Sequence, residues 1–265
     1  MRASFSRASS MAEQAKILVA EAEEDNWDDD RFMPRWRRWD TCSLCEQDYH
    51  GFVLCALGWA CWKTYVGRPE VDPLLRLAMT QLGNGLADAQ RHAEALSVQE
   101  ADVSTRQRLN DSAQNILSVQ DNLATSLSLC GQPERSLSMF RDIYARRSAL
   151  LGKNDEATLL TAGNLASTLL DDLEQFDEAK AFLEDRIPEA IRALGKNNGY
   201  TFRLQRMYAQ CLFLNDGASR SDLTEAISKL EDLDRRQTRI YGAAHPQTCA
   251  TRRCLEAARK QLARA

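Results

Sequence analysis

Asn164-Leu165-Ala166 lies 42 residues beyond Asn122-Leu123-Ala124, and these two triplets set the register in which the rest of the chain is read. Outward from them, the same pairing of a large residue with a small one recurs at Leu82-Gly83 and Tyr208-Ala209, giving successive spacings of 41, 42 and 43 residues. A fixed period of this size marks a repeat array, in which each unit is a pair of helices unable to bury its apolar face alone. A second small residue follows each pair, at Ala95, Ser136, Ala179 and Ala226. Two helices approach closely only where one side is small. These positions therefore let one helix nest against another, while Phe140, Leu183 and Leu230 fill the space between.

Start and stop signals fall in the same register. The first helices of the pairs are predicted over about 74–89, 115–130, 156–173 and 200–214, and the second over about 93–109, 133–151, 177–194 and 222–241. Pro133 suits a first helical turn, where its missing N–H costs nothing. Asp177 and Asp222 precede second helices as acceptors for free N-terminal N–H groups. Gly152, Gly195 and Gly242 close second helices. Pro188 falls inside the second helix of the third pair and predicts a kink or break near Arg186, because the ring displaces a carbonyl one turn back. Residues 215–221 add a longer link to the fourth pair, and 247–265 reads as a capping helix.

Composition agrees with an all-α chain: 12 Gly and 6 Pro in 265 residues are few for a turn-rich β architecture. A formal charge of -4 gives no global reason to expect nucleic acid. The longest apolar run, Phe52 to Trp62, spans 11 residues, short of the roughly 20 that cross a bilayer as a helix, so no membrane partner is expected. The opening MRASFSRASS resembles a transit peptide in its Arg and Ser, but Glu13, Glu21, Glu23 and Glu24 follow at once. Eight cysteines without a secretory apolar segment read as reduced thiols, which predicts a cytoplasmic protein.

The chain divides by composition. Residues 1–30 are acidic and poor in apolar side chains, predicting a mostly disordered tail with a short helix around Ala15 to Ala22. All five Trp stand at 27, 36, 39, 59 and 62, so 31–73 reads as a Trp- and Cys-rich N-terminal cap or half-repeat. Its helix Gly51 to Tyr65 is predicted to cover the first pair, with Trp59 or Trp62 in contact. Four repeats follow at about 74–114, 115–155, 156–199 and 200–246, then the capping helix 247–265.

The stretches Leu151-Gly152-Lys153-Asn154-Asp155-Glu156-Ala157-Thr158-Leu159 and Tyr241-Gly242-Ala243-Ala244-His245-Pro246-Gln247-Thr248 occur together with Asn122-Leu123-Ala124 and Asn164-Leu165-Ala166. Together they resemble the 42-residue tetratricopeptide repeats (TPRs) of the kinesin light chain type. The segment Cys42-Ser43-Leu44-Cys45, followed by Ala56 to Tyr65, is similar to the piece preceding such repeats in predicted proteins of unicellular algae. The resemblance implies a right-handed all-α TPR solenoid acting as a protein-binding scaffold or adaptor. A peptide or extended segment would lie along the concave groove of the first helices, its backbone held by the amide before each Leu-Ala pair. Carried over by position, those residues are Asn122 and Asn164, with Gln81 as an amide substitute; the fourth repeat has Met207 there. The preceding positions Thr80, Asp121, Gly163 and Arg206 include only one base, which argues against an acidic C-terminal tail as ligand.

Two other constellations compete. Cys42, Cys45, His50 and Cys55 have the order and spacing of a zinc knuckle, and four such ligands suit tetrahedral zinc. Against it, Glu46 and Tyr49 stand where knuckles carry turn-forming Gly, and a helix from Gly51 would carry Cys55 into the core. Eight bases at 235, 236, 239, 252, 253, 259, 260 and 264 stand against the single acid Glu256 within 235–265. They are either the solvated face of a cap or a dock for an acidic partner or RNA. A zinc-bearing or basic-cap nucleic-acid binder is thus the alternative function. No phosphate-loop, dinucleotide or zinc-protease motif is present, and a Cys61–His50 nucleophile pair would need a thiolate in an apolar helix. The chain is read as a non-enzyme.

Overall fold

The computed structural model describes residues 2–25 and 28–264. Met1, Asn26, Trp27 and Ala265 lie outside the described residues, and so do the parts of the predicted tail, Trp cluster and cap that fall on them. Among the described residues all regular structure is helical, apart from one antiparallel bridge between Thr41 and Asp48. The chain forms two compact units, Met1–Gly131 and Gln132–Ala265.

The first unit holds α1 (Arg2–Glu24), α2 (Asp29–Trp36), a 3-10 turn (Arg37–Trp39), α3 (Gly51–Tyr65), α4 (Pro73–Asp88), α5 (His92–Arg108) and α6 (Ala113–Leu129). Asp72 caps α4 through Leu74 N–H, with Pro73 in the first turn, and Ser112 caps α6. α1 departs from the predicted tail. Ala15, Val19 and Ala22 recur on one face and are buried, in or beside a core shared with Trp36, Trp39, Cys61, Tyr65, Leu74 and Ala78. The stripe is short in apolar mass, which hides it in the sequence, but a surface of Trp and Tyr rings gives it something to cover. Arg68 fastens the end of α1 through paired bonds of 2.6 and 2.8 Å to Glu23.

The Trp-rich segment packs into the first repeat. Trp59 and Trp62 flank a cluster of Cys55, Leu82, Leu86 and Ala95, which puts them against α4 and α5. Backbones of α3 and α4 almost touch. A Cβ on Gly58 would stand 2.9 Å from the Gln81 carbonyl oxygen, and one on Gly85 would stand 2.8 Å from that of Leu54. A buried polar cluster ties α4 to α5. Arg106 donates to Asp102 at 2.8 Å and to Asp111 at 3.0 Å, while the Thr80 hydroxyl donates to Asp102 at 2.6 Å. Burial raises the Asp102 carboxyl, and the Arg106 guanidinium opposes the rise.

The second unit holds α7 (Pro133–Leu150), α8 (Glu156–Ser167) with a π-helical extension (Thr168–Asp172), α9 (Phe176–Leu194), α10 (Gly199–Leu214), α11 (Arg220–Tyr241) and α12 (Pro246–Leu262). Asp155, Asn198 and His245 cap α8, α10 and α12 by side-chain acceptance of N–H groups. The cap of α11 is Ser219, and Asp222 completes a reciprocal capping box from inside the first turn. Asp177 likewise lies inside α9, whose N-cap is Gln175. Gly152, Gly195 and Gly242 all take φ near +90°, which costs an L side chain and explains a Gly at this place in the period.

α9 runs through Pro188 without a break, against the break predicted near Arg186. Leu183 and Ala190 are fully buried on either side, and Arg186 donates to Glu189 at 2.9 Å and to the Tyr144 hydroxyl, so packing holds the helix across the missing N–H. The irregularity sits in α8, where the wide π turn buries Thr168, Leu169 and Leu170 together.

Gly58→Ala and Gly85→Ala should each lower the unfolding free energy by about 1–3 kcal/mol, since backbone atoms cannot step aside for the added methyl. Gly67→Ala, with open space around it, serves as control and should not share this loss in urea titrations.

Candidate functional site

The amide positions before the Leu-Ala pairs take three different fates. Gln81 on α4 is 6 % exposed and donates from Nε2 to the Trp39 carbonyl at 3.2 Å. This amide donor is engaged within the protein, by the Trp-rich segment. Asn122 on α6 is half-buried, and among the described residues its side chain has no hydrogen bond. Asn164 on α8 accepts from the Arg203 guanidinium of α10 at 3.3 Å. The fourth position, Met207, is buried at 3 % exposure and presents no polar group.

In the first unit the outward face of α4 carries Gln81, Asn84 and Asp88, spaced for one side of a helix. The segment from Arg37 to Leu54 stands over it and encloses a cavity of about 340 Å³ lined also by Asp40, Asp48, Tyr49 and His50. Asp88 accepts the Gly51 N–H, tying the start of α3 to the end of α4. Asp40 is pushed up from the usual carboxylate range chiefly by burial.

In the second unit α8 and α10 lie side by side: a Cβ on Gly163 would meet Leu204 Cδ2 at 3.6 Å and Arg203 at 3.8 Å. Arg206 and Arg253 both lie within electrostatic reach of Cys254, a thiol that burial pushes up and these two guanidinium groups pull down. Neither arginine has an ion pair or hydrogen bond among the described residues. Arg206 and Arg253 thus come together at Cys254, with Asp171 also within reach, a grouping hidden in the sequence because these residues lie far apart in it.

The four expected zinc ligands do not converge. Cys42 and Cys45 sit in the turn before α3, while Cys55 is 5 % exposed within the Leu82–Leu86–Ala95 cluster, its sulfur 4.0 Å from Arg91. Helix formation from Gly51 carries Cys55 inward, away from the turn. Among the described residues no three His, Cys, Asp or Glu side chains are placed to hold a metal ion. Cys61 is fully buried and its thiol is pushed far up by desolvation, with a further push from Asp40, so it is no nucleophile. Cys42 is different. The N–H groups of Cys45 and Leu44, the Cys45 thiol and the Tyr49 hydroxyl all face its sulfur and hold its pKa down to about 7. Of the eight C-terminal bases, Arg235 and Arg236 engage Asp232, Arg252 engages Asp234, and Arg259 engages Glu231.

Helix pairs in this register, with small residues at their crossings, have the fold of tetratricopeptide repeats. Residues 115–188 match the tetratricopeptide repeat family model. More particularly, the chain is similar in fold to the nearly identical TPR-like repeats of a kinesin light chain from Podosopora anserina, with 19 % identity, a TM-score of 0.60, and 71 % of this chain and 86 % of that one covered. A second structure of those repeats gives 18 %, 0.59, 71 % and 87 %. Rap protein complexed with competence and sporulation factor is a further neighbour, at 14 % identity and a TM-score of 0.51, covering 80 % of this chain and 60 % of that one. No curated protein matches the sequence. No helix of the described residues is long and apolar enough to cross a membrane.

The different fates of the amides predict different costs. Gln81→Ala should destabilise the protein by about 1–3 kcal/mol, because the Trp39 carbonyl loses its donor in a buried place. Asn122→Ala should stay within about 0.5 kcal/mol, as a surface change does, both read from urea unfolding. Iodoacetamide labelling of Cys42 should rise with a midpoint near pH 7, since the thiolate is the nucleophile and is protonated below that value. Cys61 should stay unlabelled in the native protein over the same range.

Proposed function

We propose that the chain is a protein-interaction scaffold that holds polypeptide segments on the outward faces of its first helices, α6 in the first unit and, separately, α8 with α10 in the second. Stacked helical repeats present extended surfaces suited to this task. The observation that carries the reading is Asn122, a half-buried amide with no hydrogen bond among the described residues, at the position one period before Asn164. An amide offers both a donor and an acceptor, as a peptide backbone requires. Arg203, which bonds Asn164, adds a positive charge that favours a segment carrying a carboxylate at that end. The first repeat contributes less, because Gln81 is spent on Trp39.

The nucleic-acid alternative gains nothing from the basic stretch near the C-terminus, where Arg235, Arg236, Arg252 and Arg259 already face carboxylates. Residual bases such as Arg239 and Lys260 do not make the concentrated surface that phosphate binding needs.

Affinity capture with the full chain, followed by titration of peptides from the captured protein, tests the proposal. The Asn122→Ala/Asn164→Ala double variant should bind roughly tenfold more weakly, the loss of two hydrogen bonds of about 0.5–1.5 kcal/mol each. Arg259→Ala on α12, whose partner is Glu231, should bind as the wild type does. Unchanged affinity in the double variant would sink the groove reading.

A further inference from the structure

The cavity over α4 in the first unit is rich in acceptors and poor in donors. Asp40, Asp48 and Asp88 line it together with the amides Gln81 and Asn84, and Arg37 is the one base among its lining residues. The Thr41 hydroxyl stands 3.1 Å from Asp40 Oδ1 and 3.0 Å from Asp48 Oδ1, so a single proton is shared between two carboxylates. Arg37 is exposed and makes no ion pair among the described residues. The wall therefore presents a net negative charge.

A buried side chain points the same way. Gln81 is 6 % exposed and its Nε2 donates to the Trp39 carbonyl, but its Oε1 has no hydrogen bond among the described residues. That oxygen is not sealed in the core, since Gln81 lines the cavity. A carbonyl oxygen on so buried a side chain calls for a donor. Asn84, half-buried one turn further along α4, also has no side-chain hydrogen bond among the described residues. A ligand that brings both N–H groups and positive charge satisfies the amides and the carboxylates together.

Spacing decides what kind of cation fits. Among the described residues no three His, Cys, Asp or Glu side chains are placed to hold a metal ion, so the carboxylates do not converge on one point. They stand at two ends of a helix face. Asp40 follows Trp39, whose carbonyl Gln81 holds, and this sets the Asp40–Asp48 pair at the Gln81 end. Asp88 lies seven residues beyond Gln81, about 10 Å along the helix, where it accepts the Gly51 N–H. Between them Tyr49, His50 and Leu54 add two rings and an apolar side chain to the wall, surfaces that suit methylene groups and cations.

We propose that this cavity binds an aliphatic polyamine, with one ammonium group between Asp40 and Asp48, a second at Asp88, and an N–H donated to Gln81 Oε1. The site does not depend on the polypeptide-binding faces of α6, α8 and α10.

Spermidine titrated by calorimetry into the full-length protein at low ionic strength is the probe. It should bind at one site, and the shorter diamine putrescine should bind roughly tenfold more weakly because it cannot serve both ends. Asp48→Asn and Asp88→Asn should each weaken spermidine roughly tenfold, the second variant keeping an oxygen for the Gly51 N–H. Glu100→Gln, at an exposed acid of α5, should leave binding unchanged. Arg37→Ala, which removes the competing base without breaking an ion pair, should tighten it. The proposal is overturned if no saturable binding appears at millimolar spermidine, or if magnesium chloride at equal charge displaces it, as it would from a diffuse counterion cloud. It is also overturned if the aspartate variants bind as Glu100→Gln does, or if a lysine tripeptide binds as tightly as spermidine, which would make this a site for polypeptide side chains. Where circular dichroism shows an aspartate variant unfolded, Arg37→Ala decides, and unchanged or weaker binding there counts against the site.

Discussion

Close approach of helices through small side chains is the constraint on which this molecule depends. Ala95, Ala124, Ser136, Ala166, Ala179 and Ala226 are all completely buried, each at a place where a larger residue would hold two helices apart. Large neighbours then seal what the small ones leave: Phe140, Leu183 and Leu230 are among the least exposed side chains. Dispersion and burial both fall steeply with a gap, so a period of small positions translates into a period of helix pairs. At α3 and α4 the constraint reaches its limit, since Gly58 and Gly85 bring backbone against backbone.

The N-terminal segment obeys the same constraint from the other side. Trp59 and Trp62 flank Leu82 and Leu86, α1 lies over the Trp36–Trp39–Tyr65 cluster, and Gln81 turns its amide to the Trp39 carbonyl. Covering the first repeat in this way costs it the polar handle that the next two keep. The binding surfaces proposed for the two units therefore rest on Asn122 in the one and on the Asn164–Arg203 pair in the other, and the first repeat serves chiefly as an anchor for the aromatic segment.

The cysteines show how one side chain takes opposite roles in one fold. Cys211 on α10 is raised to about 12 by burial, and Cys61 is pushed higher by burial and by Asp40, so both behave as small apolar residues. Cys42 is lowered because a hairpin turns N–H groups toward its sulfur in solvent. Desolvation penalises the charged form, whereas donors aimed at it favour that form. Position in the fold decides between them.

By itself the sequence determined the all-α class, the period, and the boundaries of the eight paired helices to within about two residues, because 3.6-residue patterning, caps and Gly at φ-positive stops are local properties. It also set Asn122 and Asn164 one period apart, through the register of Asn-Leu-Ala. Only the tertiary structure decided that α1 has a surface to cover, that Pro188 is carried inside an unbroken α9, and that Gln81 is occupied. It also decided that Cys55 parts from Cys42 and Cys45. Each of these depends on what a side chain meets across tens of residues. A one-dimensional pattern carries the propensity of a residue but not its partner, and the partner sets whether an amide is spent, a thiol buried or a proline tolerated.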